Sequence, residues 1–214
     1  GSILGHEFAG TIVAMGRDAQ AAGWRVGDRV TALPVYPCRR CDACDAGLPA
    51  LCPQGIFSGF APGKEGAYAQ FVRARTDKLQ RVPAGIDDDT AAMIEPLAVA
   101  HHTVVRAQIR PDDRVLVLGG GPIGAAAALF ARAAGAHTVV VSEPAQLRRE
   151  RCAMLGATGT IDPTAEDVAS RFAQIAGGPP SVILECVGLP GMLAGAVKMA
   201  GVRGRIVVAG VLFA

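Results

Sequence analysis

The sequence has 214 residues, half of them hydrophobic, which is enough to bury a real core in one large or two small domains. Its 21 Lys and Arg against 19 Asp and Glu leave a formal charge of +2, and no basic cluster is interleaved with aromatics, so nothing marks a nucleic-acid surface. No apolar run has the length of a membrane span and the first residues lack the regions of a signal peptide, so no membrane association and a cytoplasmic location are expected.

In chain order, Gly5-His6-Glu7-Phe8-Ala9-Gly10 comes first, ahead of a β-rich stretch at 11–15. A turn at 27–30 feeds another strand at 30–35, and short strands separated by turns read as a small all-β, barrel-like unit. His6 and Glu7 are neighbours, so on a regular strand they would face opposite sides, and the backbone must be distorted for both to address one ion. An ordinary polar pair is the alternative, and two ligands are too few for zinc without help from elsewhere.

Cys38, Cys41, Cys44 and Cys52 follow at gaps of two, two and seven residues, broken by Pro37, Gly47, Pro49 and Pro53. Four thiolates so spaced suit a loop folded round tetrahedral zinc, and because four sulfurs saturate the ion the site would be structural. An iron–sulfur cluster uses similar spacing and remains the main competitor, with free or disulfide-bonded cysteines third.

The stretch 66–72 alternates like a strand. A turn at 83–86 precedes a helix opening at 87–90, where the aspartates satisfy free N–H groups and the helix dipole, and 91–107 is helical in pattern. Glu95 sits there in an apolar segment just before Pro96; a carboxylate in such a place asks for a cation, and an arginine would serve as well as a metal. His101 and His102 on the same helix read as packing or capping residues. The turn Arg110-Pro111-Asp112-Asp113 is the expected domain junction, dividing the chain into 1–110 and 111–214.

An unbroken apolar strand at 115–118 then runs into Gly119, Gly121 and Gly124 in the pattern GxGxxG, with Pro122 and Ile123 between them, and into an alanine-rich helix at 125–134. Such a turn points the free N–H groups of a helix N-terminus at one spot, where a pyrophosphate can sit. Gly119 would make the tight turn, Gly121 would let phosphates approach and Gly124 would let helix and strand pack closely. An ordinary strand-to-helix turn is the alternative. The next strand, 138–141, ends at Ser142-Glu143, which places an acid about 20 residues beyond the glycines, where a ribose-binding carboxylate belongs. That acid favours NAD over NADP, although Arg148 and Arg149 are close enough to accept a 2′-phosphate.

Strands and helices go on alternating: a helix at 146–155, a strand at 159–161, helix 164–176, strand 181–187, helix 189–200 and strand 205–209. These are five strands of a doubly wound sheet whose usual complement is six, with the ligand crevice expected at the carboxyl ends, by Gly119 and Val187-Gly188. Cys152 and Cys186 read as inert core thiols.

Taken together, Gly-His-Glu-x-x-Gly, the four-thiolate loop, the Ile94-Glu95-Pro96-Leu97 segment and the glycine turn with Ser142-Glu143-Pro144, in this order, resemble the zinc-dependent medium-chain alcohol dehydrogenases, nearest the polyol, sorbitol and butanediol branch. The resemblance implies an α/β fold: an incomplete β-rich GroES-like catalytic domain with a zinc lobe at about 37–53, then a doubly wound Rossmann domain lacking its last strand. It implies catalytic zinc on His6, Glu7 and Glu95, with Glu7 or Glu95 acting directly, through water or as proton carrier, and structural zinc on Cys38, Cys41, Cys44 and Cys52. It implies NAD on Gly119, Gly121, Pro122, Ile123, Gly124, Glu143, Arg148 and Val187, a small alcohol or polyol as substrate, and a dimer or tetramer. A threonine or aldehyde dehydrogenase of the same family, or a non-enzymatic nucleotide-binding or redox-sensing protein, are the other readings. The family's upstream zinc cysteine and proton-relay hydroxyl have no counterpart here, so the chain resembles an internal fragment, expected to be inactive alone.

Overall fold

The computed structural model describes residues 2–60 and 65–211, and the chain divides into two compact units, Gly1–Glu95 and Pro96–Ala214. No described helix is long and apolar enough to cross a membrane.

The first unit is β-rich. It holds β1 (Gly10–Thr11), α1 (Arg17–Ala21), β2 (Arg29–Ala32), β3 (Val35–Tyr36), α2 (Asp42–Asp45), β4 (Ile56–Phe57), β5 (Leu79–Arg81) and α3 (Asp88–Ala92). β1, β2 and β5 form an antiparallel sheet in that order and β3 pairs with β4; among the described residues these sheets do not close into a barrel. The strand expected at 11–15 is shorter, because its partner turns away at Gly27, whose N–H closes the ladder on Ile12. The run at 30–35 splits into β2 and β3 at Pro34, which has no N–H to give a ladder. The stretch 66–72 is a series of bends rather than a strand. Gly66, Ala67 and Tyr68 donate to the carbonyls of Ile3, Gly5 and Leu4, and Ala69 then turns back onto Ala67, which breaks the alternation. α1 carried no sequence signal, five residues being too few for a helical period.

α3 is capped by Asp87, whose carboxylate accepts from the Thr90 N–H at 2.7 Å, while Asp88 pairs with Arg29 at 2.5 Å, so the aspartates are structural as expected. α4 (Ile94–Ala107) follows after a break at Met93. Its Ala100, Val104 and Ala107 are buried in the core of the second unit, so the helix packs there and the turn at 110–113, expected as the junction, lies inside that unit.

The second unit continues with β6 (Arg114–Leu118), α5 (Pro122–Ala133), β7 (Thr138–Ser142), α6 (Gln146–Met154), β8 (Gly159–Ile161), α7 (Val168–Ala176), β9 (Val182–Glu185), α8 (Met192–Met199) and β10 (Arg205–Val208). Its five strands are parallel in the order β10-β9-β6-β7-β8, the doubly wound arrangement with the order reversing at β6. Helices cover both faces, so Val115, Leu116, Val117, Val139, Val140, Val141, Val182, Ile183 and Leu184 are fully buried, which explains the unbroken apolar runs. α7 starts later than residue 164 because the Asp162 carboxylate takes the Thr164 N–H and hydroxyl into a turn and Asp167 caps the helix instead. α8 starts later than 189 because Leu189 precedes Pro190, which disfavours helical backbone before it. At the entry end of the sheet, buried Asp113 accepts from the Arg110 N–H at 2.7 Å and the Ser181 hydroxyl at 2.8 Å and pairs with Arg205, tying together the starts of β6, β9 and β10.

Candidate metal centres and dinucleotide turn

Three places bring functional side chains together. The first is His6, Glu7 and Glu95, whose ligand atoms lie within 4.8 Å of one another. The distortion that the His-Glu neighbours require is present: residues 5–9 lie outside any strand, and Gly5 takes φ +93°. Glu95 arrives from the first turn of α4 with its side chain 12 % exposed, and its ion-pair partner among the described residues is His6, at 3.9 Å, not an arginine. Burial pushes the Glu95 carboxyl up, His6 pulls it down and Glu7 pushes it up again. The imidazole stands edge-on to Phe57 at 4.8 Å and tilts against Phe60 at 5.1 Å, and its buried Nδ1 has no hydrogen-bond partner among the described residues. His6 Nε2 facing the Glu95 carboxylate, with the Glu7 carboxylate close by, is a donor set that a divalent cation fits.

The second place is the loop of Cys38, Cys41, Cys44 and Cys52, whose sulfurs also lie within 4.8 Å of one another. The chain is bent round them by α2 and by the turn Pro49–Leu51, and Arg39, at φ +63°, bridges to Asp77 in the body of the unit. Backbone N–H groups aim at the sulfurs, Cys38 onto Cys52 and Arg39 onto Cys44, each at 3.3 Å. The Cys38 N–H draws the Cys52 thiol down to about 7. The Cys44 N–H favours the Cys41 thiolate too, but burial and the neighbouring sulfurs outweigh it and push Cys41 up to about 12. Four sulfurs this close cannot all ionise without a cation among them, and a tetrahedral ion of zinc's chemistry fits.

The third place is the glycine turn at the carboxyl end of β6. Gly119 has φ +91°, and a Cβ there would stand 2.9 Å from Val187 Cγ2; a Cβ on Gly124 would collide with the Gly119 carbonyl. Gly121 caps α5 with open space beside it, Pro122 occupies the first turn, and no side-chain cap is made at Gly121 among the described residues, an arrangement that suits an anion at the helix N-terminus. Ile123 packs against the core. Glu143 is buried, and its carboxylate accepts from the Gly120 N–H at 2.8 Å and the Ala145 N–H at 3.0 Å, so it holds the glycine turn. Arg148 is 56 % exposed with its guanidinium 3.9 Å from Glu143. Arg149 is committed elsewhere, to the carbonyls of Glu143 and Pro144 and to Asp162.

His101 stacks edge-on against Phe130 at 5.3 Å and His102 is exposed; neither belongs to a ligand cluster among the described residues. Cys152 is fully buried and Cys186 partly so, and burial pushes the Cys186 thiol up to about 12, the environment of packed rather than reactive thiols. Glu185, 1 % exposed, accepts from the N–H groups of Val187 and Gly188 and went unmarked in the sequence. Its signal was there: an acid inside an apolar run, as at Glu95.

Residues 1–84 match the alcohol dehydrogenase GroES-like domain and residues 122–214 the zinc-binding dehydrogenase family. A sorbitol dehydrogenase of Halalkalibacterium halodurans is 37 % identical over 188 residues, covering 86 % of this chain and 54 % of its own length. The L-galactonate-5-dehydrogenase of Escherichia coli is 36 % identical over 188 residues, with 87 % and 53 % covered. A structure from Sinorhizobium meliloti, described as a zinc-binding dehydrogenase and bound to NADP, superposes with a TM-score of 0.91 at 34 % identity, covering 99 % of this chain and 61 % of that one. The chain thus spans little more than half the length of the curated relatives it matches. With both domain types matched in order over one chain, and with the thiolate loop, the His-Glu pair and the glycine turn assembled as described, the chain belongs to the zinc-dependent medium-chain alcohol dehydrogenases.

Proposed function

We propose that the whole protein is a zinc-dependent oxidoreductase that moves a hydride from a secondary alcohol or polyol to NAD. The observation that carries this reading is the His6, Glu7 and Glu95 donor set, whose ligand atoms lie within 4.8 Å of one another. Bound zinc would supply Lewis-acid chemistry that acidifies an alcohol hydroxyl, and a bound nicotinamide would supply the hydride acceptor. His6 would hold the metal through its ring. Glu95 would reduce the effective charge on the site, and the more exposed Glu7 would hold the metal directly or through water and carry the proton outward. The four cysteines would hold a second, structural zinc.

In the second unit Gly119, Gly121, Pro122, Ile123 and Gly124 would seat the pyrophosphate, Glu143 the adenosine ribose and Val187 the nicotinamide side. Glu143 supports NAD as the preferred acceptor. Arg148, exposed beside it, keeps NADP in second place, the form bound in the Sinorhizobium structure. Sorbitol and galactonate in the names of the relatives support a polyol rather than threonine or an aldehyde, and do not favour a non-enzymatic protein. The resemblance supports a dimer or tetramer, which sedimentation would measure, and cysteines read as metal ligands rather than disulfides support the cytoplasm.

Following NADH formation by the purified whole protein on sorbitol, butanediol, galactonate, threonine and formaldehyde tests the reading. Turnover of the polyols, lost on chelation, is expected; turnover confined to threonine or formaldehyde overturns it. Glu143→Ala should weaken NAD binding and relax the rejection of NADP, and unchanged affinity for both would remove the ribose assignment.

A further inference from the structure

Glu185 ends β9 with its side chain inside the protein, and no ion pair reaches it among the described residues. Charged groups are rarely buried in that way without compensation. The compensation here is backbone: Oε1 accepts from the N–H of Val187 at 2.7 Å and from the N–H of Gly188 at 2.9 Å. Its carbonyl accepts two more N–H groups, from Ala209 at 2.8 Å and Gly210 at 2.9 Å, where the chain leaves β10. The segment so held is the one that meets the glycine turn, since Val187 Cγ2 lies 2.9 Å from where a Gly119 Cβ would stand.

The arrangement mirrors Glu143 across the middle strand. Leu118, the last residue of β6, is paired in register with Ser142 on one side and with Glu185 on the other. Glu143 follows Ser142 and accepts two backbone N–H groups, one from the glycine turn. A doubly wound sheet consists of two mononucleotide-binding halves meeting at the switch point, the half with the glycine turn and the acid taking the adenosine. β7 and β8 belong to that half, and β9 and β10 to the other.

We infer that Glu185 is a positioning residue for the nicotinamide half of the dinucleotide: its buried carboxylate fixes the Val187–Gly188 backbone beside the glycine turn, as Glu143 fixes the turn from the adenosine side. The inference rests on the dinucleotide reading above. A neutral acceptor suffices for this role, because what is needed is an oxygen in reach of two N–H groups. Removing the acceptor leaves the buried Gly188 N–H and the part-buried Val187 N–H without their carboxylate partner, and the loop must open for the buried one to reach water.

Titrating the whole protein with NADH and with ADP-ribose, which keeps the adenosine and pyrophosphate but lacks nicotinamide, separates the halves. Glu185→Ala should weaken NADH about tenfold and ADP-ribose by less than about twofold, while Glu185→Gln, which keeps an acceptor, should stay within about threefold of wild type for both. Equal weakening of the two ligands by the alanine change, no change in either, or a glutamine protein as weak for NADH as the alanine one overturns the inference. A wild type that binds neither ligand removes the dinucleotide reading itself, and the inference with it. If the alanine protein does not fold, amide exchange in the wild type decides: Val187 and Gly188 should gain protection from NADH beyond that from ADP-ribose, and equal protection overturns the inference.

Discussion

The two metal-type clusters of the first unit and the glycine turn of the second differ in what satisfies their polar atoms. At the turn each buried carboxylate already has backbone partners: Glu143 takes the N–H groups of Gly120 and Ala145, and Glu185 those of Val187 and Gly188. A five-stranded parallel sheet supports both, so this site is built before any ligand arrives. In the first unit the donors outnumber their partners. Among the described residues His6 Nδ1 has none, Glu95 stands against Glu7, and four sulfurs crowd within 4.8 Å of each other. One region is held by its own backbone; the other gathers donor atoms that a cation would satisfy.

Removing metal should therefore give the largest and most one-sided effect. Chelation of the whole protein is expected to abolish the unfolding transition of the first unit while that of the second stays put, because the binding energy of a structural ion is folding energy. Calorimetry with and without chelator measures it, and equal loss in both transitions would break the contrast. Leu116→Ala is the converse experiment. Leu116 is fully buried in the middle strand, so the truncation should cost roughly 2–5 kcal/mol in denaturant melts, confined to the second unit.

Asp113→Ala tests the entry end of the same sheet and should cost about 2 kcal/mol, since it strands the Ser181 hydroxyl and the partly exposed Arg205. Burial alone would raise the Asp113 carboxyl, but Ser181, the Arg110 N–H and Arg205 outweigh it and hold the group below the ordinary aspartate value. A carboxyl lowered by folding contributes stability that is present above its unfolded value, near 3.9, and is lost as the pH falls through the folded one. Melts should accordingly show the wild type losing more stability than Asp113→Ala between neutral pH and acid below about 4. Smallest of all, Asp87→Ala removes the cap of α3 and should lower the melting temperature by roughly 2–4 °C.

Much of the second unit was legible in the residues. Its strands are buried on both faces and so read as continuous apolar runs, and the strand-to-helix turn announces itself because only glycine fits at Gly119 and Gly124. The cysteine loop was legible for a similar reason: its ligands are close in sequence, so spacing alone predicts the cluster that the fold assembles. The first unit was harder. Its strands are two to four residues long and end where partners turn away, which is a property of the pairing and not of the strand, so 66–72 alternates like a strand without being one; α1 is too short to show a helical period.

The sequence by itself determined which residue types carry the chemistry, the order of the motifs and the alternation of strands and helices, because these depend on side-chain identity and short-range spacing. Only the tertiary structure decided that Glu95 reaches His6, that α4 packs with the second unit, that Glu143 holds the glycine turn from inside and that Glu185 answers it from the next strand. Those contacts join groups far apart in the chain or depend on which way a buried carboxylate turns. That direction is set by the donors the folded backbone presents, which no local pattern encodes.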